Sequence, residues 1–233
     1  MAKKIAICQS NYIPWKGYFD MINQVDEFVL YDEVQYTKRD WRNRNRIKTP
    51  QGIKWLTIPV SAHQFDIISE VEIADPDWNT QHWKTIRNVY NKAPYFNHYG
   101  EIFESLYQEA NQQFLSEINY HFLSSINALL GIKTPLSQST EYPSRGDKSE
   151  RLLSICRQLG ADVYVSGPAA KVYLDVDIFE NAGIAVEWMN YDGYPPYPQQ
   201  DGDFVHAVSI IDLIFNTGPR ATDYMMMNKE VMR

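Results

Sequence analysis

The sequence predicts an α/β protein: a Rossmann-like three-layer sheet with a mostly helical insertion in its middle. Three observations predict it. The first thirty residues read strand, polar loop, helix, strand. The middle carries helical periodicity from about residue 80 to 131. The last third returns to short apolar strands alternating with helices. A length of 233 residues suits a single α/β domain over 1–233, and an apolar content of 44% is enough to fill its core.

Lys4 to Gln9 is a short apolar run suited to a buried strand. Ser10 to Trp15 is a loop, because Pro14 restricts the residue before it. Lys16 to Gln24 puts Tyr18, Phe19 and Ile22 on one helical face, and Glu27 to Tyr31 is the second buried strand. The natural ligand site of such a βαβ unit is the loop after its first strand. Lys54 to Val60 reads as another strand. Thr80 to Lys92 and Gly100 to Leu130 are helical by period, with a break expected at Asn111–Gln113 and a stop at Gly131. Asp147 and Glu150 form a capping-box pattern ahead of a helix that Gly160 ends. Ala161 to Ser166 is a strand, Asp177 to Asn181 a short helix, and Ile184 to Met189 a strand. Val208 to Phe215 is a last helix stopped near Gly218, and the closing MMMNKEVMR reads as a frayed end.

Composition excludes several classes. A net charge of −7 argues against general nucleic-acid binding, which needs broad positive surface. The apolar run after the basic start is too short for a signal peptide, and no segment approaches the roughly 20 apolar residues of a membrane span. Cys8 and Cys156 read as buried free thiols of a reducing compartment, and no Cys/His spacing matches a metal site. A cytoplasmic protein is the expectation.

Against that acidic background, Lys38 to Lys48 holds six cations and one acid, Asp40, a local charge of +5. If Arg42 to Arg46 is extended, Arg42, Arg44 and Arg46 share one face, with Asn43 and Asn45 on the other. Arginine forks hold phosphate and carboxylate bidentately, so the segment, with Lys38, Arg39 and the preceding Asp32 and Gln35, is a candidate phosphate site. The bland alternative is a solvated hairpin whose arginines pair with surplus acids. Gln9, Asn11, Tyr12 and Trp15 form a second candidate at the end of the first strand, against the alternative of ordinary turn chemistry. A third comprises Arg145, Lys148 and Arg151 at a helix start, with Ser166, Gly167, Lys171 and Tyr173 after the next strand. His63, in a polar loop, is a candidate general base, as is His206 near Asp212. The chain lacks the G-x-G-x-x-G, phosphate-loop and G-x-S-x-G patterns.

The runs QSNYIPWKGYFDMI, DEVQYTKRDWRNRNRIKTPQG, WLTIPV, KSERLLSICRQLGADVYVSGPAAKVYL and VSIIDLIFNTG resemble the WbqC-like family over nearly the full chain. The matching residues are Gln9, Asn11, Tyr12, Trp15, Gln35, Lys38, Arg39, Asn43, Arg44, Ser166, Gly167 and Tyr173; the family commonly has proline where this chain has Ser10. The resemblance implies a place in bacterial surface-polysaccharide (O-antigen, lipopolysaccharide) biosynthesis and a glycine-transferring role. The expected activity is transfer of an aminoacyl or acyl group to an amino sugar on a nucleotide-linked or lipid-linked carrier. Gln9, Tyr12, Asp32, Lys38 and His63 are the candidate catalytic residues, and the arginines would bind phosphate. ATP with Mg would serve an adenylated intermediate, Asp32 being the candidate metal contact; the start of the chain is similar, by analogy, to nucleotidyltransferase-like ligases. The alternatives are a nucleotidyltransferase acting on a sugar phosphate and a non-catalytic binding protein for a phosphorylated glycan precursor. A homodimer is the one protein partner entertained.

Overall fold

The computed structural model describes residues 2–63, 65–200 and 202–226. The chain opens with β1 (Lys4–Cys8), α1 (Lys16–Asn23) and β2 (Glu27–Leu30), as the sequence predicts. An excursion then leaves the sheet. It holds the hairpin β3 (Arg44–Thr49) and β4 (Gly52–Thr57), and a short antiparallel pair, β5 (Val60–Ser61) and β6 (Glu72–Ile73). The single strand expected over Lys54 to Val60 is therefore two, parted at Ile58–Pro59, where proline supplies no N–H to a ladder.

Three helices follow: α2 (Trp78–Tyr90), α3 (Phe96–Glu109) and α4 (Leu115–Leu130). The break between α3 and α4 spans the expected Asn111–Gln113 stretch, and α4 ends on Gly131 in the left-handed conformation, φ 73°. The chain re-enters the sheet through β7 (Leu136–Gln138), a strand the sequence does not predict: three residues with one apolar side chain carry no periodic signal. Then come α5 (Lys148–Gln158), β8 (Val163–Ser166), α6 (Val176–Asn181), β9 (Ala185–Trp188) and α7 (Ile210–Thr217). The α5 start is the predicted capping box: Asp147 accepts from the Glu150 N–H, and Glu150 accepts from the Asp147 N–H.

The five main strands are parallel in the order β7-β2-β1-β8-β9. Strand alternation builds a core on each face. Ile5, Ile7, Val29 and Tyr164 pack with Leu152, Ile155 and Phe179 of α5 and α6. Ala6, Phe28, Leu30 and Val165 join Phe19 and Ile22 of α1 in a larger cluster that runs on into α2, α3, α4 and α7. The helical middle is thus welded to one face of the sheet. Most of the end expected to fray lies outside the described residues, but Met225 is buried and the Met226 N–H bonds both oxygens of Asp20.

Candidate functional site at the carboxyl edge of the sheet

Successive strands lie to one side of β1 until β7, and the chain then returns to place β8 on the other side. The carboxyl ends of β1 and β8 therefore diverge into oppositely directed connections and leave a crevice between them. Just past β2, Asp32 is 2% exposed. Its Oδ1 accepts the Ser10 N–H at 2.9 Å, while Oδ2 is buried with no partner. Burial pushes its carboxyl above the usual carboxylate value; bonding from Ser10 and the charge of Arg42 act the other way. The Cys8 thiol is raised by the same burial. Arg42 reaches across to donate to Asn11 Oδ1 at 2.6 Å and pairs with Asp40 at 3.3 Å. Asn119 of α4 underpins the corner, donating to Ser10 Oγ and to the Arg42 carbonyl.

The loop from Asn11 to Trp15 is bent at Ile13, whose φ of 37° is strained for a β-branched side chain. It is held from two sides. Asn45 Nδ2 donates to the Tyr12 and Ile13 carbonyls, and Ser209 Oγ donates to the Ile13 carbonyl. Gly17 lets the Trp15 ring fold back over the start of α1, where a Cβ would collide with it. The result is a cleft of about 260 Å³ lined by Asn11, Pro14, Trp15, Trp41, Asn45 and Ala207.

The basic run is split by its own strand. Asn43 and Asn45 face inward and are buried, as the alternation predicts. Arg44 and Arg46 share the outer face of β3, the first 4.1 Å from the Trp55 ring, the second over Trp41 and Trp55. Arg42 does not continue that face, because β3 begins only at Arg44 and Arg42 turns into the site. Neither Arg44 nor Arg46 pairs with a carboxylate among the described residues. Lys38, Arg39 and Gln35 are exposed on the approach to the hairpin, with Arg39 in a left-handed turn at φ 62°.

On the far side of β1, Ser166 is buried at the end of β8, and Gly167 begins the next turn with only Met21 and Tyr191 near the place of a Cβ. Lys148, Arg151 and Lys171 lie over the rings of Tyr173, Tyr31 and Trp188, also without carboxylate partners among the described residues.

Several sequence candidates fall elsewhere. Tyr12 is fully buried, and its hydroxyl points into the helical core, 2.9 Å from His82 Nδ1 and 2.7 Å from the Tyr107 hydroxyl. A loop aromatic that looks like a ligand contact is here a peg fixing the loop to α2 and α3. His63 is exposed, with its N–H bonded to Asp66, and no contact among the described residues joins its ring to Asp32. His206 packs on Phe204, while Asp212 is closed by Tyr90, Tyr197 and Gln199, so these two form no pair. Trp41, Asn119 and Ala207 enter the site without having been candidates. Trp41 sits inside the basic run and was masked by its charges; the other two are brought in by distant segments. No group of three or more His, Cys, Asp or Glu able to hold a metal occurs among the described residues. No helix there is long and apolar enough to cross a membrane.

These features define an α/β protein with a polar crevice and an aromatic cleft at the carboxyl edge of a five-stranded parallel sheet. The chain belongs to the WbqC-like protein family, whose model matches residues 9–224. It is similar to an uncharacterized protein of Mycobacterium tuberculosis, 48% identical over 227 residues that cover 96% of this chain and 97% of the relative.

Proposed function

We propose that this protein is a cytoplasmic enzyme of bacterial surface-polysaccharide assembly that transfers an aminoacyl group, glycyl in the first instance, to the amine of an amino sugar. The observation that carries the reading is Asp32: a buried carboxylate whose Oδ1 is fixed by Ser10 and whose Oδ2 has no partner. An amine attacks a carbonyl only after losing a proton, and a carboxylate made more basic by burial is suited to take it. Arg42, steadied by Asn11 and Asp40, offers positive charge to an acyl or phosphoryl oxygen.

A free acid must be activated before amide formation. Activation with ATP gives an acyl adenylate and diphosphate; the amine then displaces AMP. Two features support a nucleotide here. Read in chain succession, the strand order is that of doubly wound sheets, which hold nucleotides where the order reverses, and this supports the Rossmann-like reading. Lys148 and Arg151 of α5, and Lys171 on the turn after Gly167, have no carboxylate partner among the described residues and would serve as phosphate contacts. A magnesium ion would arrive with the phosphates, and Asp32, a buried carboxylate past β2, would be its candidate protein ligand. The same cations favour, as a second reading, nucleotidyl transfer to a sugar phosphate.

The test is incubation with ATP, glycine and an amino-sugar nucleotide, followed by mass spectrometry. AMP with a glycylated sugar is expected. Diphosphate with a new sugar nucleotide and no amide would establish the second reading. Binding without turnover would leave a non-catalytic carrier of a phosphorylated precursor.

A further inference from the structure

We infer that the cleft between Trp15 and Trp41 is a subsite for one pyranose ring bearing an anionic substituent. This deepens the reading above, and rests on it for the amino-sugar class of the ligand. A volume of about 260 Å³ falls just below the roughly 300–1,000 Å³ of sites for drug-sized molecules, so it admits one ring and not a whole nucleotide. Its walls are two indoles with Pro14 and Ala207. The C–H face of a pyranose packs on such rings, while its hydroxyls radiate toward the open side.

The polar lining separates a sugar from a nucleobase. A base is read through several donors and acceptors on its edge. Asn45 has no donor to give, because Nδ2 serves the Tyr12 and Ile13 carbonyls, and its Oδ1 already accepts the Arg46 N–H. Asn11 Oδ1 accepts from Arg42, so the one amide nitrogen of the two side chains left open to a ligand is Asn11 Nδ2. Charge for the anion comes from Arg42, which donates to the cleft residue Asn11 and also pairs with Asp40, while Arg46, on the outer face of β3, packs on the Trp41 ring. Ring and charge are thus recognised side by side, as a sugar phosphate or sugar diphosphate presents them.

Saturation-transfer NMR and calorimetry with glucosamine 1-phosphate, AMP and inorganic phosphate test this without donor acid or ATP. Failure of amide formation therefore leaves the subsite standing, and failure here leaves the Asp32 chemistry open. Saturation should fall on the pyranose C–H protons. Trp41→Ala should weaken glucosamine 1-phosphate by about tenfold or more, with Trp41→Phe recovering most of it. Should Trp41→Ala not fold, exposed Ala207→Leu narrows the cleft from its other wall and should exclude the sugar equally. The inference is overturned if AMP is bound through its base and displaces the sugar. It is equally overturned if no pyranose proton saturates, or if both cleft variants bind glucosamine 1-phosphate as the parent does.

Discussion

Two buried carboxylates in this molecule differ in how they are satisfied. At the start of α7, Asp212 is 1% exposed and accepts three side-chain bonds, from Tyr90 at 2.8 Å, Tyr197 at 2.6 Å and Gln199 at 2.8 Å. Just past β2, Asp32 is as deeply buried but is bonded by Ser10 alone, and its Oδ2 has no partner. Burial raises both carboxyls, and three donors oppose the rise at Asp212. The first arrangement ties the segment around Tyr197 and Gln199 to the helices. The second leaves a proton acceptor at the place where the sheet can receive a ligand. An unsatisfied buried group costs stability, and the role proposed for Asp32 gives that cost a chemical reason.

The largest effect expected from this contrast is on turnover. Asp32→Asn keeps an acceptor for the Ser10 N–H but cannot take a proton. Amide formation should fall by about 10²–10⁴ fold in a single-turnover assay. Its stability should not fall with it. A carboxyl held above its unfolded value favours the fold fully below about 3.8 and loses that contribution as pH rises through the raised value. At neutral pH the charged form is therefore a cost, and Asp32→Asn should unfold at an equal or higher denaturant concentration. A variant that lost both activity and stability would make Asp32 structural and erase the contrast.

Asp212→Ala should do the reverse. It strands the Tyr90 and Tyr197 hydroxyls, while Gln199 keeps its bonds to Tyr197 and Val205, a loss of roughly 2–3 kcal/mol. Denaturant titration reads it directly, and residual activity per folded molecule should be close to that of the parent.

A third buried group extends the comparison to a base. His82 Nε2 faces the Thr57 carbonyl at 3.1 Å, so it donates there, and Nδ1 accepts from Tyr12, which in turn accepts from Tyr107. With both ring nitrogens satisfied in the neutral form, burial lowers its pKa to about 4. A base held below its unfolded value of 6.5 contributes stability above 6.5 and loses it as pH falls through about 4, up to about 3 kcal/mol in all. Unfolding free energies measured across that window should decline in the parent and decline less in His82→Phe. Equal slopes would show that His82 is already free to titrate in the fold.

Much of the frame follows from local chemistry. Apolar runs at Lys4–Cys8 and Glu27–Leu30, the Asp147/Glu150 box and Gly131 each specify an element through contacts within a few residues. The basic run was legible as a charge anomaly, and its alternation correctly turned Asn43 and Asn45 inward. What failed were judgements that depend on distant partners. Tyr12 reads as a site residue until α2 and α3 close over its hydroxyl. Leu136–Gln138 becomes a strand only because Phe28 to Leu30 is there to pair with it. Trp41 gains a role from Trp15 and Ala207, which lie far from it in the chain.

By itself, then, the sequence determined the class of fold, most of the strands and helices, and the stretch of chain in which cations would gather, because propensity, capping and alternation act over short range. Tertiary structure alone decided the order of strands, and with it the crevice beside β1. It also decided which buried polar atom would be left over: Asp32 and Asp212 are the same residue type at the same depth, and they differ only in the donors that remote segments bring to them.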